Sequence, residues 1–319
     1  MLGISLVFVI LIGVGLLWLY NQQHFKAIEK RNSPKGQFVG VNGLELHYIS
    51  EGDGEPLVLL HGGVISSIDF QEVLPLLAQN GYRCIAFDRP GYGHSDRPKG
   101  RTTPDHQAKI IHEAIKQLGI HTPVTLVGHS WSGALVLSYA QQFPDDVKGI
   151  VTLGAAMYKE GYPAENGDLL SKIVTTRKIG SLIMNTLLAT PLAKKMGKVT
   201  VVETFKPEHA SVGYEQTLLD LWGRPKQFKA NREDVLLFPE CALHNSKSYS
   251  EIHTPILAVV GELDPFNTLA MAKRLVEETP NSELSILKGV GHMIPQNHPE
   301  KVVNAVQQVN SGENQADHA

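Results

Sequence analysis

The sequence predicts an α/β fold: a mostly parallel, doubly wound, eight-stranded sheet carrying a helical insertion and preceded by one transmembrane helix. Three observations predict it. Short apolar runs bounded by turn residues recur along the chain, helix-period segments alternate with them, and this rhythm stops between Leu153 and Ile256. The composition agrees with a folded chain. Of 319 residues 42% are hydrophobic and 19% charged, and the net charge of −3 offers no basic field for nucleic acid. Cys84 and Cys241 stand far apart without metal-ligand spacing, so neither a disulfide framework nor a metal site is expected.

Residues Leu2 to Tyr20 contain no charged side chain. At 1.5 Å per residue they span about 28 Å, close to the roughly 30 Å of bilayer hydrocarbon. A cleaved signal peptide would show a basic start and a small-residue cleavage site, whereas this segment starts Met1-Leu2-Gly3 and leaves through Trp18-Leu19-Tyr20-Asn21. An uncleaved anchor over residues 1–20 is therefore expected, with Trp18 and Tyr20 as an interfacial belt. A buried core helix is the alternative. Lys26, Lys30, Arg31 and Lys35 follow the anchor, which by the positive-inside rule puts the rest of the chain on the cytoplasmic side. The polar stretch 21–36, with Asn32-Ser33-Pro34, reads as a juxtamembrane linker.

Phe38–Val41 and Leu44–Ile49 flank Asn42-Gly43, a type I′ hairpin signal, so the sheet opens antiparallel. Six further buried strands are expected at Leu57–Leu60, Cys84–Phe87, Val124–Val127, Ile150–Leu153, Ile256–Val260 and Leu284–Leu287. Helices are expected between them at Phe70–Ala78, Pro104–Leu118, Ser132–Phe143, Leu269–Glu277 and Pro299–Val309. Right-handed crossovers then make the sheet mostly parallel, with helices on both faces. In the interrupted interval the helical patches Leu169–Thr176, Ile179–Leu188 and Tyr214–Trp222 are separated by Pro191, Pro207 and Pro225, which suggests a helical insertion over the sheet. Residues 311–319 read as a solvated, flexible tail.

Three strand ends carry the chemistry. Val124–Val127 runs into Gly128-His129-Ser130-Trp131-Ser132-Gly133 and then an apolar helix. A serine at such a corner is held in a tight turn with its hydroxyl above the sheet, and helix N-terminal amides behind it favour a developing oxyanion. Ser130 is the candidate nucleophile; the alternative is a serine that merely caps the helix. A neutral hydroxyl needs a base, and the base an orienting acid. The loop Gly261-Glu262-Leu263-Asp264 supplies Asp264, with Glu262 less suitably placed two positions nearer the strand, and Gly289-Val290-Gly291-His292 supplies His292. His61-Gly62-Gly63-Val64 follows another strand, so the Gly63 amide is the expected oxyanion donor beside that of Trp131, with Val64 second in line. His61 and His129 read as structural, and Val64 and Trp222 as substrate contacts.

These motifs stand in the order His61-Gly62-Gly63, Phe87-Asp88-Arg89-Pro90-Gly91-Tyr92-Gly93-His94-Ser95-Asp96, Gly128 to Gly133, Gly261 to Asp264 and Gly289 to His292. Together they resemble the α/β-hydrolase superfamily over about Phe38 to Gln308. The resemblance implies a cofactor-free serine hydrolase whose core is residues 37–155 and 255–310, with a helical cap at 156–254. It also implies that Asp88 to Asp96 is a structural loop, so that Ser95 is not a nucleophile. Ser132 departs from the pattern, which has glycine there and here places Gly133 one position later. A serine nucleophile sets the chain apart from the aspartate-dependent dehalogenases and epoxide hydrolases of that superfamily.

The implied activity is cleavage of a carboxylic ester or related acyl bond at a membrane through an acyl-enzyme. A carbon–carbon bond hydrolase or a perhydrolase is open to the same three residues, and a membrane-tethered binding protein on the same fold is the non-enzyme reading.

Overall fold

The computed structural model describes residues 2–311; the tail expected at 311–319 lies, beyond Ser311, outside the described residues. Helix α1 (Leu2–Arg31) leads into strands β1 (Gln37–Val41), β2 (Leu44–Glu51) and β3 (Glu55–Leu60). Then come α2 (Val73–Gln79), β4 (Tyr82–Phe87), α3 (Pro104–Gln117), β5 (Val124–His129), α4 (Ser132–Gln142) and β6 (Val147–Leu153). Five helices follow: α5 (Leu169–Val174), α6 (Ile179–Leu187), α7 (Pro191–Phe205), α8 (Val212–Trp222) and α9 (Pro225–Asn245). The chain returns through β7 (Ile256–Gly261), α10 (Thr268–Glu278), β8 (Ser282–Leu287), α11 (Ile294–Asn297) and α12 (Pro299–Ser311).

The eight strands form one sheet in the order β1-β2-β4-β3-β5-β6-β7-β8. The first two pairings are antiparallel and the rest parallel, as the hairpin and crossover patterns predict. Asn42 and Gly43 both take positive φ, 51° and 79°, which is what a type I′ turn requires. Alternation sends successive strand residues to opposite layers. Val58, Leu60, Ile85 and Phe87 pack with α3, α4 and α10, while Leu57, Leu59, Cys84 and Ala86 pack with α2 and α12.

Pro191 and Pro225 do stand between helices, and each also starts one that the patches did not include, α7 and α9, at the first helical position, where a proline's missing N–H is not needed. One expectation needs correction. The polar stretch 21–36 is not a linker throughout, because α1 continues unbroken to Arg31. One side of this stretch, with Asn21, Phe25 and Ile28 buried, is the docking face. Asn21 is fully buried, donating to the Thr186 carbonyl at 2.7 Å and accepting from the Ala189 amide at 2.7 Å. Phe25 and Ile28 pack on Leu188 and Ala189, and Arg31 makes a forked ion pair with Asp220 on α8. The preceding turns, from Leu6 to Ile12, are exposed and apolar, and the helix is long and apolar enough to cross a bilayer.

The insertion is fastened to the sheet by a buried charge cluster. Arg89, after β4, is fully buried and reaches Asp234 on α9 at 2.8 Å; Asp234 also takes Arg97 at 2.8 Å and the Tyr92 hydroxyl at 2.9 Å. Burial alone would raise the Asp234 pKa, but the Arg97 and Arg89 guanidiniums and their hydrogen bonds hold it below the usual carboxylate range.

Two stability experiments follow from these contacts. Removing residues 1–20 leaves the docked half of α1 in place and is expected to preserve the thermal midpoint in detergent. Removing residues 1–32 exposes the Ala189 surface and loses two buried side chains each worth about 1.5–3 kcal/mol, so the midpoint drops by at least about 5 °C in a melting experiment. Asp234→Ala strands Arg89 in the interior and is expected to cost about 3–5 kcal/mol in denaturant unfolding.

Candidate active site

Strand β5 delivers Ser130 at a corner whose backbone is strained, with φ 54° at a non-glycine residue. Neighbouring strands hold the corner: the Ser130 amide donates to the Leu153 carbonyl at 2.9 Å, and its own carbonyl accepts from Gly133 and Ala156. The turn is tight on both sides. A Cβ at Gly128 would stand 2.6 Å from the Ser132 carbonyl oxygen, and one at Gly133 would stand 2.5 Å from the Ala155 Cβ. Glycine is thus needed at 133, and the serine at 132 has its own place. Ser132 is buried, and its hydroxyl donates to the His61 carbonyl at 2.5 Å, tying the helix start to the turn that carries Gly63.

His292 Nε2 lies 3.0 Å from Ser130 Oγ, and His292 Nδ1 lies 2.8 Å from Asp264 Oδ2. The carboxylate requires the proton on Nδ1, which leaves Nε2 to accept from the serine hydroxyl. The Asp264 side chain is only 1% exposed. Burial would raise its pKa, but the His292 ring, the Thr268 hydroxyl at 2.7 Å and the Phe266 amide at 2.9 Å together hold it below the usual range. Gly154 lies against this pair: a Cβ there would meet Asp264 Oδ2 at 3.0 Å and His292 Nδ1 at 3.2 Å. His129, directly before Ser130, donates through Nε2 to the His292 carbonyl at 3.2 Å and so braces the loop beneath.

Ser130, His292, Gly63, Val64 and Trp131 line one cavity of about 520 Å³ between the strand ends and the insertion, while the Asp264 carboxylate stands behind His292. Among the described residues, neither the Gly63 nor the Trp131 amide donates to a protein acceptor. The residue expected as a substrate contact at 222 is not among the lining residues. The Trp222 indole packs on Phe228 and donates to Asn231 Oδ1 at 3.3 Å, so it acts one residue removed from the cavity.

Residues that the motifs did not single out hold the Gly63 turn in shape. On α9, Gln227 donates to the Val64 and Ile65 carbonyls at 2.9 Å each, and Asn231 donates to the Gly63 carbonyl. Arg89 donates to the His61 and Gly62 carbonyls at 3.1 and 2.9 Å and stacks 4.1 Å from the Trp131 ring. Gln227, Asn231 and Asp234 stand at i, i+4 and i+7, a polar stripe on a buried helix face, and that spacing is the sequence signal for them.

His61 supports the same turn as a neutral ring. The Arg89 amide donates to Nε2 at 2.9 Å, so Nδ1 carries the proton and donates to the Gly62 carbonyl at 2.8 Å. Burial, with the Arg89 charge beside it, lowers its pKa from 6.5 to about 4. Between those values the unfolded chain takes up a proton that the folded ring refuses. The stabilisation is therefore complete above pH 6.5 and lost progressively as pH falls to about 4, by roughly 3 kcal/mol. In thermal melts at pH 7.5 and pH 5, His61→Gln is expected to lose less stability on acidification than the unsubstituted chain; equal losses would exclude this account.

A family model described as alpha/beta hydrolase fold matches residues 55–177, and another described as serine hydrolase (FSH1) matches residues 205–303. The chain is 26% identical to 2-hydroxy-6-oxo-6-(2'-aminophenyl)hexa-2,4-dienoic acid hydrolase of Metapseudomonas resinovorans, over 84% of this chain and 88% of that one. A solved esterase from Exiguobacterium antarcticum superposes with a TM-score of 0.70 at 25% identity, covering 86% of this chain and 99% of the esterase. The uncharacterized hydrolase YugF of Bacillus subtilis (strain 168) is 30% identical over 278 residues, which are 82% of this chain and 92% of YugF. With that identity over nearly the whole length, on a sheet and strand-end loops of this design, the chain belongs to the α/β-hydrolase family.

Proposed function

We propose that the protein is a membrane-anchored serine hydrolase that cleaves a carboxylic ester or related acyl bond. The observation that carries this reading is the relay of 3.0 and 2.8 Å running from Ser130 through His292 to Asp264 at the floor of the cavity. Ser130 attacks the substrate carbonyl while His292 Nε2 takes its proton, and Asp264 holds the imidazole in the required tautomer and stabilises its charged form. The Gly63 and Trp131 amides receive the oxyanion of the tetrahedral intermediate. His292 then protonates the leaving alcohol, and in the second half-reaction it takes a proton from the water that cleaves the acyl-enzyme. Anchoring through residues 2–20 is supported by the continuity of α1, whose exposed apolar half extends a half that is docked on the insertion.

A neutral ester suits the cavity better than an acid. Its lining is largely apolar, including Val64, Leu170, Val201, Phe205 and Leu218. Arg232, the one Lys or Arg among the described lining residues, is occupied: Asp168 lies 3.6 Å from it, and its Nε donates to Asn231 Oδ1 at 3.0 Å. The second reading is a carbon–carbon bond hydrolase working through the same three residues. It is prompted by the likeness to the Metapseudomonas resinovorans enzyme, whose name gives a dienoic acid as its substrate.

Ser130→Ala is expected to lower turnover of p-nitrophenyl esters by about three orders of magnitude or more and to abolish labelling by a fluorophosphonate, with an unchanged circular dichroism spectrum. Undiminished turnover would exclude Ser130 as nucleophile. Turnover of a 2-hydroxy-6-oxodienoic acid in preference to a graded series of neutral esters would select the second reading.

A further inference from the structure

The insertion presents apolar side chains to the outside as well as to the cavity. On α6, Ile179, Leu182 and Leu187 are exposed, and on α7 so are Leu192, Met196 and Val199, each between 47 and 70%. The α7 residues stand at i, i+4 and i+7, a continuous stripe along one side of the helix. The other side of α7 is spent on the protein: Val201 and Phe205, one turn apart, are buried and line the cavity. An outward apolar stripe is unexpected on a helix whose inner face is already satisfied, and a patch of this extent marks an interaction site.

Two further observations say what covers it. The first is position. The turn joining α6 to α7 is pinned to α1 at Asn21, whose side chain bonds Thr186 and Ala189. Asn21 follows Tyr20, the last residue of the uncharged stretch, by one residue, a rise of about 1.5 Å along the helix. Leu187 and Leu192 flank that turn, so they lie at the level where α1 leaves its apolar stretch. The second is charge. From Leu169 to Val202 there is no Asp or Glu, whereas Lys172, Arg177, Lys178, Lys194, Lys195 and Lys198 are present and exposed, of which Lys198 pairs with Glu215 at 3.3 Å. Apolar side chains rimmed by an excess of cations suit an anionic bilayer surface: the apolar groups enter the acyl boundary and the cations meet phosphate.

We propose that the outward face of α6 and α7 lies on the bilayer into which α1 inserts, as a second, peripheral membrane contact beside the anchor. The proposal rests on the reading of α1 as a membrane helix. It orients the protein, since the insertion rather than the sheet faces the membrane. The cavity wall formed by α7 is then one helix thick between the Ser130 site and the lipid, which makes a membrane-resident ester the natural class of substrate.

The experiment uses the full chain in nanodiscs of phosphatidylcholine and phosphatidylglycerol containing a spin-labelled lipid. An environment-sensitive fluorophore is attached at Met196→Cys, at Leu11→Cys on α1, or at Asp145→Cys, which precedes β6 at the opposite end of the sheet; Cys84 and Cys241 are buried. Most of the fluorescence at positions 11 and 196 is expected to be quenched, with that at 145 unaffected. Quenching at 11 without quenching at 196 would overturn the membrane contact while leaving the anchor intact. No quenching at 11 would remove the anchor and the proposal with it. A blue-shifted but unquenched label at 196 would show the stripe covered by protein, such as a second copy of the chain, and would also overturn it.

Discussion

The fully buried guanidinium of Arg89 is the contact on which the rest of the site depends. A charge in the interior is tolerable only when its nitrogens find partners, and all three here do: carbonyls of the His61-Gly62 turn, Gln107 and Asp234. Its flat faces are covered by the Trp131 and Tyr92 rings, with centroids 4.1 and 4.3 Å away. One side chain therefore touches the turn that carries Gly63, the residue whose amide follows Ser130, and the helix that closes the cavity. Displacing it would move all three, because none of its partners has another cation to take its place except Asp234, which Arg97 shares.

From that centre the division of labour between sheet and insertion becomes clear. The sheet fixes Ser130, His292 and Asp264 at its strand ends, and Gly154 makes room for the last two. The Gly63 turn, in contrast, is shaped from above. Gln227, Asn231 and Asp234 lie along one face of α9 and hold the backbone carbonyls of residues 61–65 directly or through Arg89. Carbonyls turned toward α9 leave the amides of the same peptide chain free to face the cavity. An insertion is often regarded as a lid that selects substrates; here it also holds the Gly63 turn, whose carbonyls accept from Gln227 and Asn231.

The strands and the Ser130, Asp264 and His292 positions were legible because each signal is local: an apolar run, a turn residue, then the chemistry at the strand end. What was not legible depended on long-range partners. Pro191 and Pro225 look like breaks until their helices are seen to begin on them, since proline at a helix start and proline in a loop are the same letter. The segment after Tyr20 looks like a linker because it is polar, yet Asn21, Glu29 and Arg31 are polar in order to meet Thr186, Arg224 and Asp220. Trp222 reads as a pocket aromatic from its place in the insertion, and it turns instead toward Asn231. Arg89 itself stands in a visible motif, but nothing in the motif reveals that its carboxylate partner lies 145 residues away.

These partners form an unbroken chain of contacts from α1 to the Gly63 turn. Glu29 on α1 meets Arg224 at 3.3 Å; Arg224 donates to Gln227 at 2.9 Å; Gln227 in turn donates to the Val64 and Ile65 carbonyls beside the Gly63 amide. Contiguity alone does not establish energetic coupling, which needs an element with two arrangements. On the proposed reading of α1 as a membrane anchor, these few bonds would join the bilayer-held helix to the Gly63 turn. If the proposed anchor and a lipid-dissolved ester are both correct, part of the cost of aligning the carbonyl with Ser130 would be met by the anchored protein before the encounter.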